Sequence, residues 1–109
     1  MRGGWYRPHM ISRHWKGIVK PGLADQYVEH LKTHTLPELA AIPGFISVSI
    51  LRRDVAGGTE FQVVTRWASL DAIRAFAGDD IEAAVVPDVA VRMMTSYEPR
   101  VVHYDVVTV

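Results

Sequence analysis

Four stretches of strand-like alternation and two of helical period run through this chain in the order strand, helix, strand, strand, helix, strand. That order narrows the fold more than any other feature. The first strand spans residues 10–20, with Ile11, Arg13, Trp15 and Val19 on one parity and Ser12, His14, Lys16 and Ile18 on the other. Pro21-Gly22 breaks it, and from Leu23 the pattern turns helical: Leu23, Ala24, Tyr27, Val28 and Leu31 fall in one arc at about 100° per residue. Pro37 interrupts that helix or opens a second short turn through Ala41, and Pro43-Gly44 closes the region.

The second strand, Phe45 to Arg53, is rich in β-branched residues, and Asp54 to Gly58 supplies a hairpin connection into a third strand, Thr59 to Trp67. Ser69 is a good N-cap and Asp71 suits the first turn of the helix that follows, which carries Leu70, Ile73, Phe76 and Ala77 and ends at Gly78. Residues 80–95 read as one or two short helical pieces split near Pro87, and Pro99 leads into a last strand from Arg100 to Val109. The βαββαβ order predicts an α+β, ferredoxin-like domain with a four-stranded antiparallel sheet and helices on one face.

The other face sets a second constraint. Strand two is apolar at Ile46, Val48 and Ile50 but also at Phe45 and Leu51, and strand four is apolar at Val102, Tyr104 and Val106 against Val101 and Val107. A sheet with one face in water alternates more cleanly. The chain has helices for one face only, so the sheet is expected to pair with a second copy of itself, as a homodimer through that face.

Composition excludes several classes. Twelve basic and twelve acidic residues give a net charge of zero, which offers nothing to hold a phosphate backbone or an anionic membrane. There is no cysteine, hence no disulfide, no thiolate metal site and no cysteine nucleophile. No stretch approaches the roughly 20 apolar residues of a membrane span. The expectation is a cytoplasmic domain over residues 10–109, preceded by a flexible tail at 1–9.

Five histidines are the natural proton-transfer groups. His30 and His34 lie four apart on the first helix, but Leu31 follows the first of them, so the pair lacks the glutamate of the zinc-protease motif. A histidine satisfied at the edge of the core is the ordinary alternative for both. His14 on the first strand is the preferred base; His103 and Asp105 share one side of the last strand. Trp15 and Trp67 are expected to wall a cavity between sheet and helices, although most strand tryptophans are simply core. Arg13 is placed to steady an anionic or phenolic oxygen, with surface ion pairing as its ordinary alternative. No phosphate loop, nucleophile elbow, catalytic carboxylate pair or metal ligand set is present in the sequence.

The segments Arg13-His14-Trp15-Lys16-Gly17, Arg66-Trp67-Ala68-Ser69-Leu70-Asp71-Ala72-Ile73, Phe76 to Ile81, Val86-Pro87 and Val102 to Val107 together resemble the antibiotic biosynthesis monooxygenase family, over residues 10 to about 107. The resemblance implies a dimeric α/β barrel. It also implies cofactor-independent oxygenation of an aromatic or polyketide-like molecule, with no cofactor and no metal. His14 and Trp67 are then the expected catalytic residues, and Arg13, Trp15, Tyr27, His34 and Phe76 the expected binding residues. Other readings are a non-enzymatic ligand-binding or stress-related barrel, and an isomerase of a small aromatic compound. Haem degradation, known in the family, fits less well. Its strand-one asparagine falls here at Trp15, its axial histidine falls near Val86, and no histidine lies between His34 and His103.

Overall fold

A computed structural model describes residues 10–108. The tail assigned to residues 1–9 lies outside the described residues. Five strands are present: β1 (Ile11–Val19), β2 (Phe45–Val55), β3 (Gly58–Trp67), β4 (Met94–Tyr97) and β5 (Val102–Asp105). The helices are α1 (Ala24–His30), α2 (Leu36–Ala40), α3 (Leu70–Ala77) and α4 (Asp88–Val91), with a π turn, Leu31–Thr35, joining the first two. The sheet order is β2-β3-β1-β4, with β5 also on β1, and every described pairing is antiparallel. This is the ferredoxin-like arrangement the sequence order predicts, with its last strand in two pieces.

The break in that last strand has a visible cause. Met94–Tyr97 pairs with the end of β1 and Val102–Asp105 with its beginning. Between them the chain leaves the sheet at Glu98-Pro99, because proline has no N–H to give a ladder. The excursion pairs instead with residues 82–84: Ala84 donates to Pro99 O, Val101 to Glu82 O, and Ala83 bridges Arg100. Residues 80–87 therefore form a strapped loop rather than the helical piece expected there, and Pro87 opens α4.

The first helical region runs through Pro37 without stopping. A proline ring crowds the carbonyl four residues back, here that of Thr33, and removes the bond that carbonyl would accept. The wider π turn over Leu31–Thr35 lies against this defect, its Leu36 N–H reaching back to Leu31 O. Ser69 caps α3, accepting from Ala72 N–H at 3.1 Å, and Gly78 ends it at φ 85°.

All helices cover one face of the sheet. Ile11, Arg13, Trp15, Gly17 and Val19 face them from β1, and Phe61, Val63, Thr65 and Trp67 do so from β3. One cluster gathers Trp15, Val19, Tyr27, Leu31 and Phe61; a second gathers Ile11, Leu39, Trp67 and Ile73. The opposite face carries His14, Lys16, Gln62 and Arg66 beside apolar Leu51, Val102 and Tyr104, which are exposed. It is more polar than the sequence pattern implies. A bulge at Ile46 is the reason: Phe45 pairs with Trp67 but Ser47 with Arg66, so Phe45, Val48 and Ile50 all reach the helix side despite their mixed parity.

The hairpin joins the sheet at a point only glycine fits. Gly58 sits at φ 143°, and a Cβ there would lie 1.8 Å from Val19 O. Gly58→Ala is expected to lower the unfolding free energy by about 2–4 kcal/mol, read from urea unfolding. An unchanged midpoint would show that the β1–β3 edge yields more easily than this contact allows.

Candidate active site

A cavity lies between the helix-facing side of the sheet and the first helical region, roofed by the loop that carries Val85, Val86 and Pro87. Its volume is about 60 Å³, and it opens to solvent. That is smaller than the roughly 300–1,000 Å³ of typical small-molecule sites, so a ligand of that size would extend into the open mouth. Its walls are mainly apolar, with Leu31, Leu39, Val63 and Ala90 among them, and a few polar groups converge on it: Arg13, His30, Tyr27 and Thr65.

Arg13 is the unusual member. It is 4% exposed, and no carboxylate among the described residues lies within ion-pair distance. Its Nη1 donates to Ile81 O and to His103 Nε2 at 3.0 Å, and its Nη2 donates to Ala83 O at 2.8 Å. A guanidinium carries five N–H bonds. Those three contacts leave Nε–H and one Nη2–H with no described partner, on a side chain that lines the cavity. Burial lowers its pKa to about 10, so it stays a cation at neutral pH. The guanidinium carbon lies 5.7 Å from the centre of the Phe76 ring, a cation–π contact at the cavity edge.

The aromatic residues have separate tasks. Trp15 lines the cavity, and its Nε1–H donates to Glu98 O at 3.0 Å, which pins the indole to the excursion between β4 and β5. Gly17 makes room for it: a Cβ on Gly17 would meet the far edge of the indole at 2.5 Å. Tyr27 lines the cavity and packs edge-on to Phe61 at 4.9 Å. Burial pushes its phenol well above the usual value, which keeps it a neutral donor.

Of the expected site residues, Arg13, Trp15, Tyr27 and Phe76 meet at the cavity. His14, Trp67 and His34 do not. His14 has the other parity of β1 and lies on the opposite sheet face. There it bonds Ser12 Oγ at 2.7 Å and meets the Tyr104 ring edge-on at 4.9 Å. Its ring has no path through the sheet to the cavity. Trp67 faces the right way but is wholly buried behind the wall: it stacks on Phe76 at 5.8 Å and gives its Nε1–H to Thr65 Oγ1 at 2.8 Å. It positions Phe76 and Thr65, both of which do line the cavity. His34 is exposed one helical turn beyond the wall, and the residue on the wall is His30. The pair could be seen in the sequence, but the π turn after His30 decides which of the two turns inward.

The profile of the antibiotic biosynthesis monooxygenase family matches residues 10–85. The chain belongs to that family. Val86, close to where the resemblance puts the axial histidine of haem-degrading members, is a valine on the cavity wall. No curated protein matches the chain in sequence. Solved structures share the fold at low identity. A Caulobacter crescentus protein named for this family is 21% identical, with 94% of each chain covered and a TM-score of 0.67. A heme-degrading protein from Mycobacterium tuberculosis is 22% identical, covering 92% of this chain and 94% of its own, at a TM-score of 0.59. A monooxygenase from Streptomyces coelicolor, solved with the ligand nanaomycin D, is 16% identical over 93% of this chain and 89% of its own, at a TM-score of 0.57. Among the described residues no three His, Cys, Asp or Glu side chains gather to hold a metal ion, and no helix is long and apolar enough to cross a membrane.

Two imidazoles, His30 buried and His103 half-buried, make stability depend on pH. His103 is held below the usual 6.5 first by burial and then by Arg13, with Glu82 pulling the other way. His30 is also lowered, first by burial, then by His34, against Glu38. A ring whose folded pKa is depressed stabilises the native state fully above its unfolded value and loses that contribution as pH falls through the folded one. The urea midpoint is therefore expected to hold steady above 6.5 and to fall below it. Asp80 and Glu60, both depressed from usual values of 3.8 and 4.5, add their losses only at lower pH. His103→Asn should shrink the first decline; an equal decline in that variant would remove His103 from the account.

Proposed function

We propose that this chain is a cofactor-independent monooxygenase acting on an aromatic or polyketide-like small molecule that it binds as an anion. Family membership supports a monooxygenase-type activity. The observation that carries the finer reading is Arg13, a cation that lines an apolar cavity, buried without a carboxylate partner and with two N–H bonds that have no described partner. An electron-rich phenol or enol, once deprotonated, can itself reduce oxygen, so the protein must bind it, stabilise the anion and keep water out. Arg13 supplies the counter-charge, Phe76 and Trp15 flat contact, and Tyr27 a neutral phenolic donor. Trp67 holds Phe76 in place from behind. The Streptomyces coelicolor monooxygenase with nanaomycin D supplies a relative of like fold that takes a small organic ligand.

The proposal includes a homodimer paired through the open sheet face. Leu51, Val102 and Tyr104 are each at least half exposed there, and His14 then sits at the interface rather than in catalysis. Sedimentation should give twice the mass of one chain, and Tyr104→Lys should shift the equilibrium toward monomer. A monodisperse monomer at micromolar concentration would contradict the pairing.

The activity is tested by oxygen uptake with 1,8-dihydroxyanthrone. The wild type should consume one O₂ per quinone formed. Arg13→Met should lower kcat/KM by about 10–100-fold, the value of one hydrogen bond to a charged group. Quinone binding without oxygen uptake would support the non-enzymatic binding reading instead.

A further inference from the structure

We infer that His30 is the proton-accepting residue of this site, taking a carbon-bound proton from a substrate whose resulting negative charge is held by Arg13. The inference rests on the functional reading above and adds the base that His14 cannot supply.

Three observations converge on His30. It lines the same cavity as Arg13 and is 7% exposed, so its ring meets whatever fills that space rather than bulk water. Its ring makes no hydrogen bond to any described residue; its recorded neighbours are rings, Tyr27 stacked at 6.2 Å and His34 tilted at 5.4 Å. A buried polar group with no partner is costly, and natural folds rarely leave one without a role. Finally, it is the last residue of α1, immediately before the π turn Leu31–Thr35, and such turns recur at functional sites. Without the extra residue of that turn, α1 would continue in α register past Pro37, and the histidine spacing would not separate an inward His30 from an exposed His34.

The charged and titratable groups around the ring agree with the role. On its own helical region are Tyr27, which burial keeps protonated, His34, which disfavours a second positive charge, and Glu38, which favours it weakly. Arg13, a fixed cation, lines the same cavity. Burial and His34 outweigh Glu38, so the imidazole is neutral at neutral pH with a lone pair available.

The simplest substrate of this kind is an anthrone. An imidazole nitrogen of His30 takes one proton from the methylene carbon, and the C–H electron pair becomes part of an enolate whose oxygen faces Arg13. The carbanion form gives its electrons to O₂, a C–O bond forms, and the peroxide takes the proton back from the imidazolium. Loss of the second methylene proton with cleavage of the O–O bond leaves the quinone carbonyl and releases water. One anthrone and one O₂ give one quinone and one water.

The test is the pH profile and the kcat–KM split of His30→Gln with 1,8-dihydroxyanthrone. In the wild type, kcat/KM should rise with pH through a limb on the acid side of 6.5 and then level off. In His30→Gln, kcat should fall by about 100-fold or more with KM little changed, the acid limb should vanish, and added imidazole should restore part of the rate. A full-rate variant beside an active wild type would overturn the role of His30 and leave the function standing. A wild type that turns over without an acid limb would overturn it too, whether or not the variant folds. A wild type with no oxygen uptake would overturn the functional reading and this inference together.

Discussion

The structure depends on one buried cation. Arg13 projects from the central strand, where no carboxylate among the described residues meets it, and reaches the backbone carbonyls of Ile81 and Ala83 and the ring of His103. Taking a guanidinium out of water costs several kcal/mol, and carbonyl partners offset only part of that. What the contacts achieve is geometric. They bind the loop after α3 to the sheet, and that loop leads into Val85, Val86 and Pro87, the roof of the cavity. The same loop is tied from the outside by Arg100, whose guanidinium bonds both oxygens of Asp80 at 2.9 Å, and by the backbone pairing with residues 99–101. The site is thus closed by an internal arginine and an external one, and only the internal one is buried.

Behind the cavity the aromatic side chains form a graded stack. Phe45 meets Trp67 edge-on at 5.3 Å, Trp67 stacks on Phe76, and Phe76 carries the Arg13 guanidinium above its ring. Trp67 is the largest fully buried side chain, so the stack is anchored in rigid core and ends in charge at the cavity. A flat, electron-rich molecule entering beside Phe76 would lie against the last ring of this series with its oxygen near the guanidinium. This makes Trp67 important without its touching a substrate. The tryptophan is the best sequence marker of the site and still not part of its surface.

The order of elements, the α3 cap at Ser69 and the hairpin at Gly57-Gly58 were all legible in the sequence. Strand parity puts Arg13 and Trp15 on one face, helical period does the same for Tyr27 and Phe76, and all four line the cavity. Three misses share a cause: places where the regular period slips. The bulge at Ile46 brings residues of both parities to one face, and it made the open side of the sheet look more apolar than it is. The excursion at Glu98-Pro99 divides the last strand, and its partner segment at 82–84 carries no pattern that announces a strap. The π turn after His30 adds a residue to the helical count, so a wheel at 3.6 residues per turn favours His34 over His30. His14 was misjudged for a different reason. Parity places it correctly on the sheet, but only the position of the helices says which face holds the cavity.

The central claim is that Arg13 stabilises an anionic aromatic ligand in an otherwise apolar cavity. An unassisted apolar cavity would do the opposite and favour the neutral phenol, so the two cases differ in sign. The direct measurement is the colour change of a hydroxyanthraquinone, whose phenol ionises visibly, followed against pH when bound to the protein and when free. The account predicts that the bound dye ionises at lower pH than the free dye, and that Arg13→Met abolishes the shift. A bound dye that ionises at higher pH, or a downward shift that survives Arg13→Met, would contradict it.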